Sequence, residues 1–423
     1  MLAIPNMVLG LGLLALGCTG AAAQVAQDAP PPASAVTHAL LYDADALANV
    51  QGGAARGRNY QGMLRWQISI DGERAWGWPD TSAYINTMAL HRAGPVVLTG
   101  DAQGVSNMTA PSGVRVEEAW VQRNFRGNRL SALVGRYDLN SEFYRLSSAG
   151  LFLNSSFGIG PEFSGSGQGG PSIFPSTSLG VRIEYKPAPN VVLRAAVLDG
   201  VPVDREGGGT AAFHSGDGSL VVYEVAWLSR PPAPGKRRDR RFLIGRASEL
   251  DPYQDKIALG GWHYTAEFDD LSTLDASGQP LRRHGSSGAY LIAEKLLYRA
   301  ASQGGEKLSG FVQLGTADAR VNRFNAYLGM GAVATGFLPS RPTDEFGLAL
   351  AIARNGNHYL LSQQSQPGPG RATRRTEASI ELSYLIQLNS HLSVQPDLQY
   401  VIHPGTTALA NALALQLRME IAF

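Results

Sequence analysis

Cysteine is nearly absent: Cys18 stands alone in 423 residues, and a chain cleaved after Ala23 would carry none. Charge is also scarce and balanced, at 17% charged residues with a net charge of +1. Phosphate binding needs a basic field that such a balance does not supply, so nucleic acid is excluded as a partner. Beyond the N-terminal segment there is no run of about 18 apolar residues, so any membrane span must be a strand and not a helix. Catalytic signatures are missing too. There is no zinc-binding His-Glu-x-x-His and no nucleophile elbow, and the 8 His are scattered, so no metal, cofactor or catalytic residue is expected. Gly165-x-Gly167-x-x-Gly170 matches a dinucleotide fingerprint by letters only, because no helix pattern follows it.

What is present begins with an apolar run from Met7 to Gly17, followed by Ala21, Ala22 and Ala23 before Gln24. This reads as a signal peptide over residues 1–23, too short for a membrane span. Its leading region lacks Lys and Arg, since the first basic side chain is Arg56. Cys18 is a poor lipidation candidate, because Ala15 sits where an aliphatic residue is wanted. Residues 24–36, rich in Ala and Pro, read as a flexible segment ahead of the folded domain, 37–423.

The final segment, Ala414 to Phe423, alternates strictly. Leu415, Leu417, Met419, Ile421 and Phe423 share one face of an extended chain, and Gln416, Arg418 and Glu420 share the other. A soluble sandwich and a transmembrane barrel both use such a strand. About sixteen alternating segments run from Thr37 onward, bounded by Gly, Pro, Asn and Asp. In Leu179 to Tyr185, Arg182 and Glu184 oppose an apolar face; Glu377 to Leu388 and Leu392 to His403 behave alike. A charge facing lipid at the bilayer centre costs about 2 to 4 kcal/mol, which assigns each polar face to the lumen of a barrel. The connections favour that barrel, because short turns alternate with long loops, as an even-stranded barrel with both termini on one side requires. The long loops are Arg92 to Gly113, Tyr137 to Ser178, Asp199 to Gly218, Asp269 to Ser287 and Asn355 to Arg375. Arg230 to Asp255, carrying the basic run Lys236 to Arg241, is long on the short-turn side and reads as a solvated turn. The Tyr137 to Ser178 loop is the longest, and its natural place is inside the lumen.

Gly135 to Gly158 (GRYDLNSEFYRLSSAGLFLNSSFG), Ser172 to Pro175, Leu259 to Leu271, Phe337 to Ala351 and Leu392 to Gly405 together resemble the carbohydrate-selective porin family, the OprB-like outer-membrane proteins. The resemblance covers nearly all of residues 37–423. It implies an all-β transmembrane barrel of sixteen antiparallel strands in a Gram-negative outer membrane, passing small sugars such as glucose passively, with the third loop folded into the pore. It also implies that outer-membrane lipid surrounds the barrel, and that the assembly machinery recognises the terminal strand ending at Phe423. The barrel would act alone or as a homotrimer, and a general porin or a barrel-type lipid hydrolase are the alternative readings.

Sugar in a pore is held by aromatic faces and by charged or amide groups, weakly enough to leave. The loop candidates are Asp138, Asn140, Glu142, Phe143, Tyr144, Asn154 and Ser155. Against that role, Asn140, Ser141, Asn154 and Ser155 also suit the capping of short loop turns. On the wall, Glu118, Trp120, Arg182, Glu184, Arg194, Glu224, Glu381, Asp397, Arg418 and Glu420 should point inward; most of them solvate the lumen or pair across strands. Trp120 is the wall aromatic suited to stacking. Glu117 is an anomaly, since it should face out wherever Glu118 faces in. Tyr185, Tyr223, Trp227, Trp262, Tyr384, Tyr400 and Phe423 are expected outside, as interfacial girdle residues.

Overall fold

Sixteen antiparallel strands close on themselves in the computed structural model. It describes residues 34–92, 98–202, 214, 216–230, 255–300, 306–364, 368 and 370–423. Residues 1–23, read above as a signal peptide, most of the Ala/Pro segment and the Lys236 to Arg241 run therefore lie outside the described residues. The first half of the barrel holds β1 (Val36–Gln51), β2 (Gly57–Asp71), β3 (Thr81–His91), β4 (Gly113–Phe125), β5 (Leu130–Tyr137), β6 (Ser178–Ala188), β7 (Val191–Asp199) and β8 (Ser219–Leu228). The second half holds β9 (Lys256–Leu274), β10 (Pro280–Arg299), β11 (Lys307–Ala317), β12 (Phe324–Thr335), β13 (Glu345–Asn355), β14 (Thr376–Asn389), β15 (Leu392–Ile402) and β16 (Ala412–Ala422). Each strand pairs with its sequence neighbours, and β16 pairs with β1, with Leu41 opposite Ala422. Closure removes the exposed edges that an open sheet would present.

Alternation sets which side of the wall each residue occupies. On β6, Leu179, Val181 and Ile183 are exposed while Arg182 and Glu184 are buried. The outward face carries the apolar side chains that lipid requires, including Leu259 on β9, Leu382 on β14 and Leu417 on β16. Among the described residues no helix is long and apolar enough to cross a membrane.

Three expectations need correction or completion. The segment read as a loop from Asp269 to Ser287 is a continuation of β9 and β10, with only residues 275–279 between them. Arg282 pairs across this ribbon with Glu267 and Asp269. The Glu117 anomaly is a β-bulge: the ladder slips between Asn86 and Thr87, so that Glu118 opposes Asn86 and Val116 opposes Thr87. One extra residue turns both Glu117 and Glu118 inward, and both are buried. Trp262 is not a girdle residue. It is 1% exposed, on the same face of β9 as Ala258 and Tyr264, and its ring stacks on Phe163 at 5.0 Å. Tyr223, Trp227 and Phe423 do lie on the exposed surface.

Candidate functional site: a loop clamped inside the barrel

Residues 138–177, between β5 and β6, form short turns separated by irregular backbone, whose amides need acceptors. Wall carboxylates supply them. The Tyr144 amide donates to Glu224 on β8 at 2.9 Å. The Ser147 and Ser148 amides donate to Glu294 on β10 at 3.0 and 2.9 Å. Leu153 and Asn154 donate to Glu381 on β14, the latter at 3.1 Å. A single loop can reach β8, β10 and β14 of one closed barrel only from within. Each carboxyl group offers two oxygens, so one wall residue satisfies several loop amides that would otherwise be buried without an acceptor.

A second set of contacts fixes where the loop begins. Arg182 is fully buried; its Nε donates to Glu142 at 2.7 Å, and its terminal nitrogens reach Ser131 Oγ at 2.6 Å and Gln122 Oε1 at 2.7 Å. Glu142 also accepts from the Tyr137 hydroxyl at 2.5 Å. Beside them, Arg194 binds Glu184 at 2.7 Å and Glu224 at 3.4 Å, while Lys186 and Lys256 approach the same carboxylates.

The apolar side of the loop settles on a wall stripped of side chains. Gly315, Gly329, Gly331 and Gly347 sit at inward positions on β11 to β13, and a Cβ on Gly347 would meet Leu151 and Phe152. Phe152, Phe157 and Phe311 cluster there with ring centroids 5.0 to 5.9 Å apart, and Tyr144 packs on Tyr290 at 4.3 Å. A Cβ on Gly315 would fall on the carboxylate of Glu162. Gly315→Val is therefore expected to cost about 1 to 3 kcal/mol by overpacking, read as a lower midpoint for loss of heat-modifiable migration in denaturant. An unchanged midpoint would show that the seat has slack.

Glu162 itself, on the one-turn helix Pro161–Ser164, is 1% exposed. The Tyr144 hydroxyl donates to it at 3.0 Å, and no cation pairs with it among the described residues. Burial pushes its carboxyl up to about 7.

The residues singled out from the sequence divide into distinct environments. Asp138 accepts from the Asn140 amide at 2.9 Å, and Asn154 from that of Ser156 at 3.0 Å, so both cap loop turns. The Asn140 side chain donates to the Gly158 carbonyl at 3.0 Å. Phe143, Tyr144 and Arg182 are wholly buried, and Glu142, Asn154 and Glu184 nearly so. Asp138, Asn140, Ser155, Trp120 and Arg194 keep part of their surface open. Trp120 lies at 5.4 Å from Tyr84, and its Nε1 donates to Glu118 at 3.2 Å.

Sequence reasoning missed a second clamp. Residues 98–112 also bend inward, with the Ala102 and Gln103 amides on Glu377 at 2.9 and 3.1 Å. Asp45 gathers Ser106, Gln416 and Arg418 at 2.6 to 2.8 Å. The available signal was the inward parity of Asp45 and Glu377 on their strands.

The family model described as carbohydrate-selective porin, OprB family, matches residues 55–423. Porin B of Pseudomonas aeruginosa is 23% identical over 425 residues, covering 91% of this chain and 87% of that protein. The high-pH structure of Pseudomonas putida OprB matches with a TM-score of 0.78 at 19% identity, covering 92% of this chain and 94% of that one. The low-pH structure of the same protein matches at 0.55 and 15% identity, covering 92% and 93%. At these identities the solved structures establish the shared barrel fold.

Proposed function

Since this chain belongs to the carbohydrate-selective porin family OprB, a group of sugar-selective channels of the Gram-negative outer membrane, we propose how its lumen selects sugars and which residues touch them. The observation that carries the proposal is the distribution of the clamp. The 138–177 loop is tied to β8, β10 and β14, while the half-buried side chains of Trp120 and Gln122 remain on β4, across from those anchors, and Arg194 stands beside the start of the loop, donating to the Glu142 carbonyl. Sugar passes between them. Trp120 offers a ring face to the sugar's C–H surface, while Arg194, Asp138 and Asn140 offer hydrogen-bonding groups to its hydroxyls. Glu118 orients Trp120 through its indole N–H. Glu142, Phe143, Tyr144, Asn154, Arg182 and Glu184 act indirectly, by holding the constriction in shape.

In this reading transport is passive and no bond is broken. Residues 1–23 are proposed as the export signal. The assembly machinery is proposed to engage β16, with Leu415, Leu417 and Phe423 on its apolar face. Lipid surrounds the outward face.

Planar-bilayer recording tests the proposal. Conductance in salt should show saturable block by glucose and its short oligomers, and Trp120→Ala should weaken block about two- to tenfold with little change in salt conductance, since an aromatic contact is worth about 0.5 to 1.5 kcal/mol. Block that survives Trp120→Ala would move the contact elsewhere; conductance without block would make the pore unselective.

A further inference from the structure

On the outside of the barrel, a groove of about 740 Å³ follows β1 between β16 and β2. Its floor is Ala46 and Ala48, and its sides are Leu415 and Leu417 on β16 and Tyr60 on β2. Asp397 and Gln416 border it through their backbones only, because their side chains hydrogen-bond on the lumen side. Arg58 and Arg92 close one end. That end belongs to the loop side of the wall, since Arg58 begins β2 and Arg92 follows β3. In an outer-membrane barrel with both termini in the periplasm this is the outer leaflet.

We propose that the groove holds one acyl chain of an anionic, phosphorylated lipid of the outer leaflet, with its phosphate on Arg58 and Arg92. Both arginines are exposed, and neither has an ion-pair partner among the described residues. Two free guanidiniums above an apolar trough match an amphiphile with an anionic head, because guanidinium takes phosphate in a bidentate grip while the chain fills the space over the alanines. A neighbouring barrel fits less well: the exposed carboxylates Glu267 and Asp269 on the same end are already paired with Arg282 and His284. The trough also has a rigid side. Tyr42 lies across Gly62 and donates or accepts with Tyr60 at 2.6 Å and His91 at 2.9 Å, which fixes Tyr60 against the groove.

Native mass spectrometry of the folded barrel in detergent, with bisphosphorylated lipid A as the probe, tests the site. One lipid should be retained, at least about tenfold more tightly than dephosphorylated lipid A or phosphatidylethanolamine. The Arg58→Ala, Arg92→Ala double variant should lose that margin. Ala48→Leu, which fills the floor with both arginines in place, should lose retention as well. Heat-modifiable migration and salt conductance, which depend on other residues, verify folding in each case. Equal retention by the double variant and wild type, or equal retention of the dephosphorylated lipid, overturns the proposal. So does an Ala48→Leu variant that changes oligomeric state while keeping its lipid, since that outcome assigns the face to a second barrel.

Discussion

Arg182→Ala is expected to raise single-channel conductance, increase open-channel noise and lower the denaturation midpoint of the barrel together. The guanidinium is 0% exposed and satisfies Glu142, Ser131 and Gln122 at once. Its removal leaves the Glu142 carboxylate buried and without its cation, and breaking such a pair from one side costs about 3 to 5 kcal/mol. Glu142 opens the 138–177 loop, so that energy is withdrawn from the point where the constriction leaves the wall. Sugar block should weaken by at least about tenfold, which corresponds to 1.4 kcal/mol of lost contact. Arg182→Lys retains charge but not the planar fork, and should fall between the two. The paired change Arg182→Met with Glu142→Gln leaves neither member of this pair charged and should recover more midpoint than either single change. A single Arg182→Ala channel with wild-type conductance and midpoint would show that the loop is held without this pair.

The second large effect is one of pH. Glu162 is displaced by burial from 4.5 to about 7, so the folded loop binds its proton more tightly than the unfolded chain does. Stability gained from that proton is fully present below about 4.5, declines as pH rises, and is gone above about 7, a change of about 3 kcal/mol. The sign is opposite to that of a salt-bridged carboxylate. The constriction should therefore be seated more firmly near about pH 5 than near about pH 8, with lower noise and slower proteolysis of the loop at the acid end. Glu162→Gln supplies a permanent neutral group of the same shape and should flatten this dependence at the acid-pH value. If that variant retains the full pH response, another group governs the loop.

Much of the wall was legible because charge marks its inner side. On β6, β14, β15 and β16, Arg182, Glu381, Asp397 and Arg418 alternate with apolar residues, and lipid tolerates only one assignment. Where charge gave no marker, or a contradictory one, the reading failed. Trp262 lies between Lys256, which faces in, and Glu267, which faces out, in a stretch of small and aromatic residues where either parity is chemically acceptable. Glu117 and Glu118 were opaque because a bulge breaks the period on which the reading relies. The inward loop was suggested by its length and composition and by the family resemblance. What fixes its position, backbone amides on distant carboxylates, leaves no local pattern: Glu381 and Leu153 lie 228 residues apart.

The chemistry of those anchors bears on how such a channel can change over generations. Glu224, Glu294, Glu381 and Glu377 grip main-chain N–H groups, which every residue but proline supplies whatever its side chain. Side chains at the partly exposed loop positions between these anchors can change without touching the grip. The barrel can thus try new side chains against new solutes while the constriction stays where it is, so drift in substrate preference need not pass through a leaky ancestor.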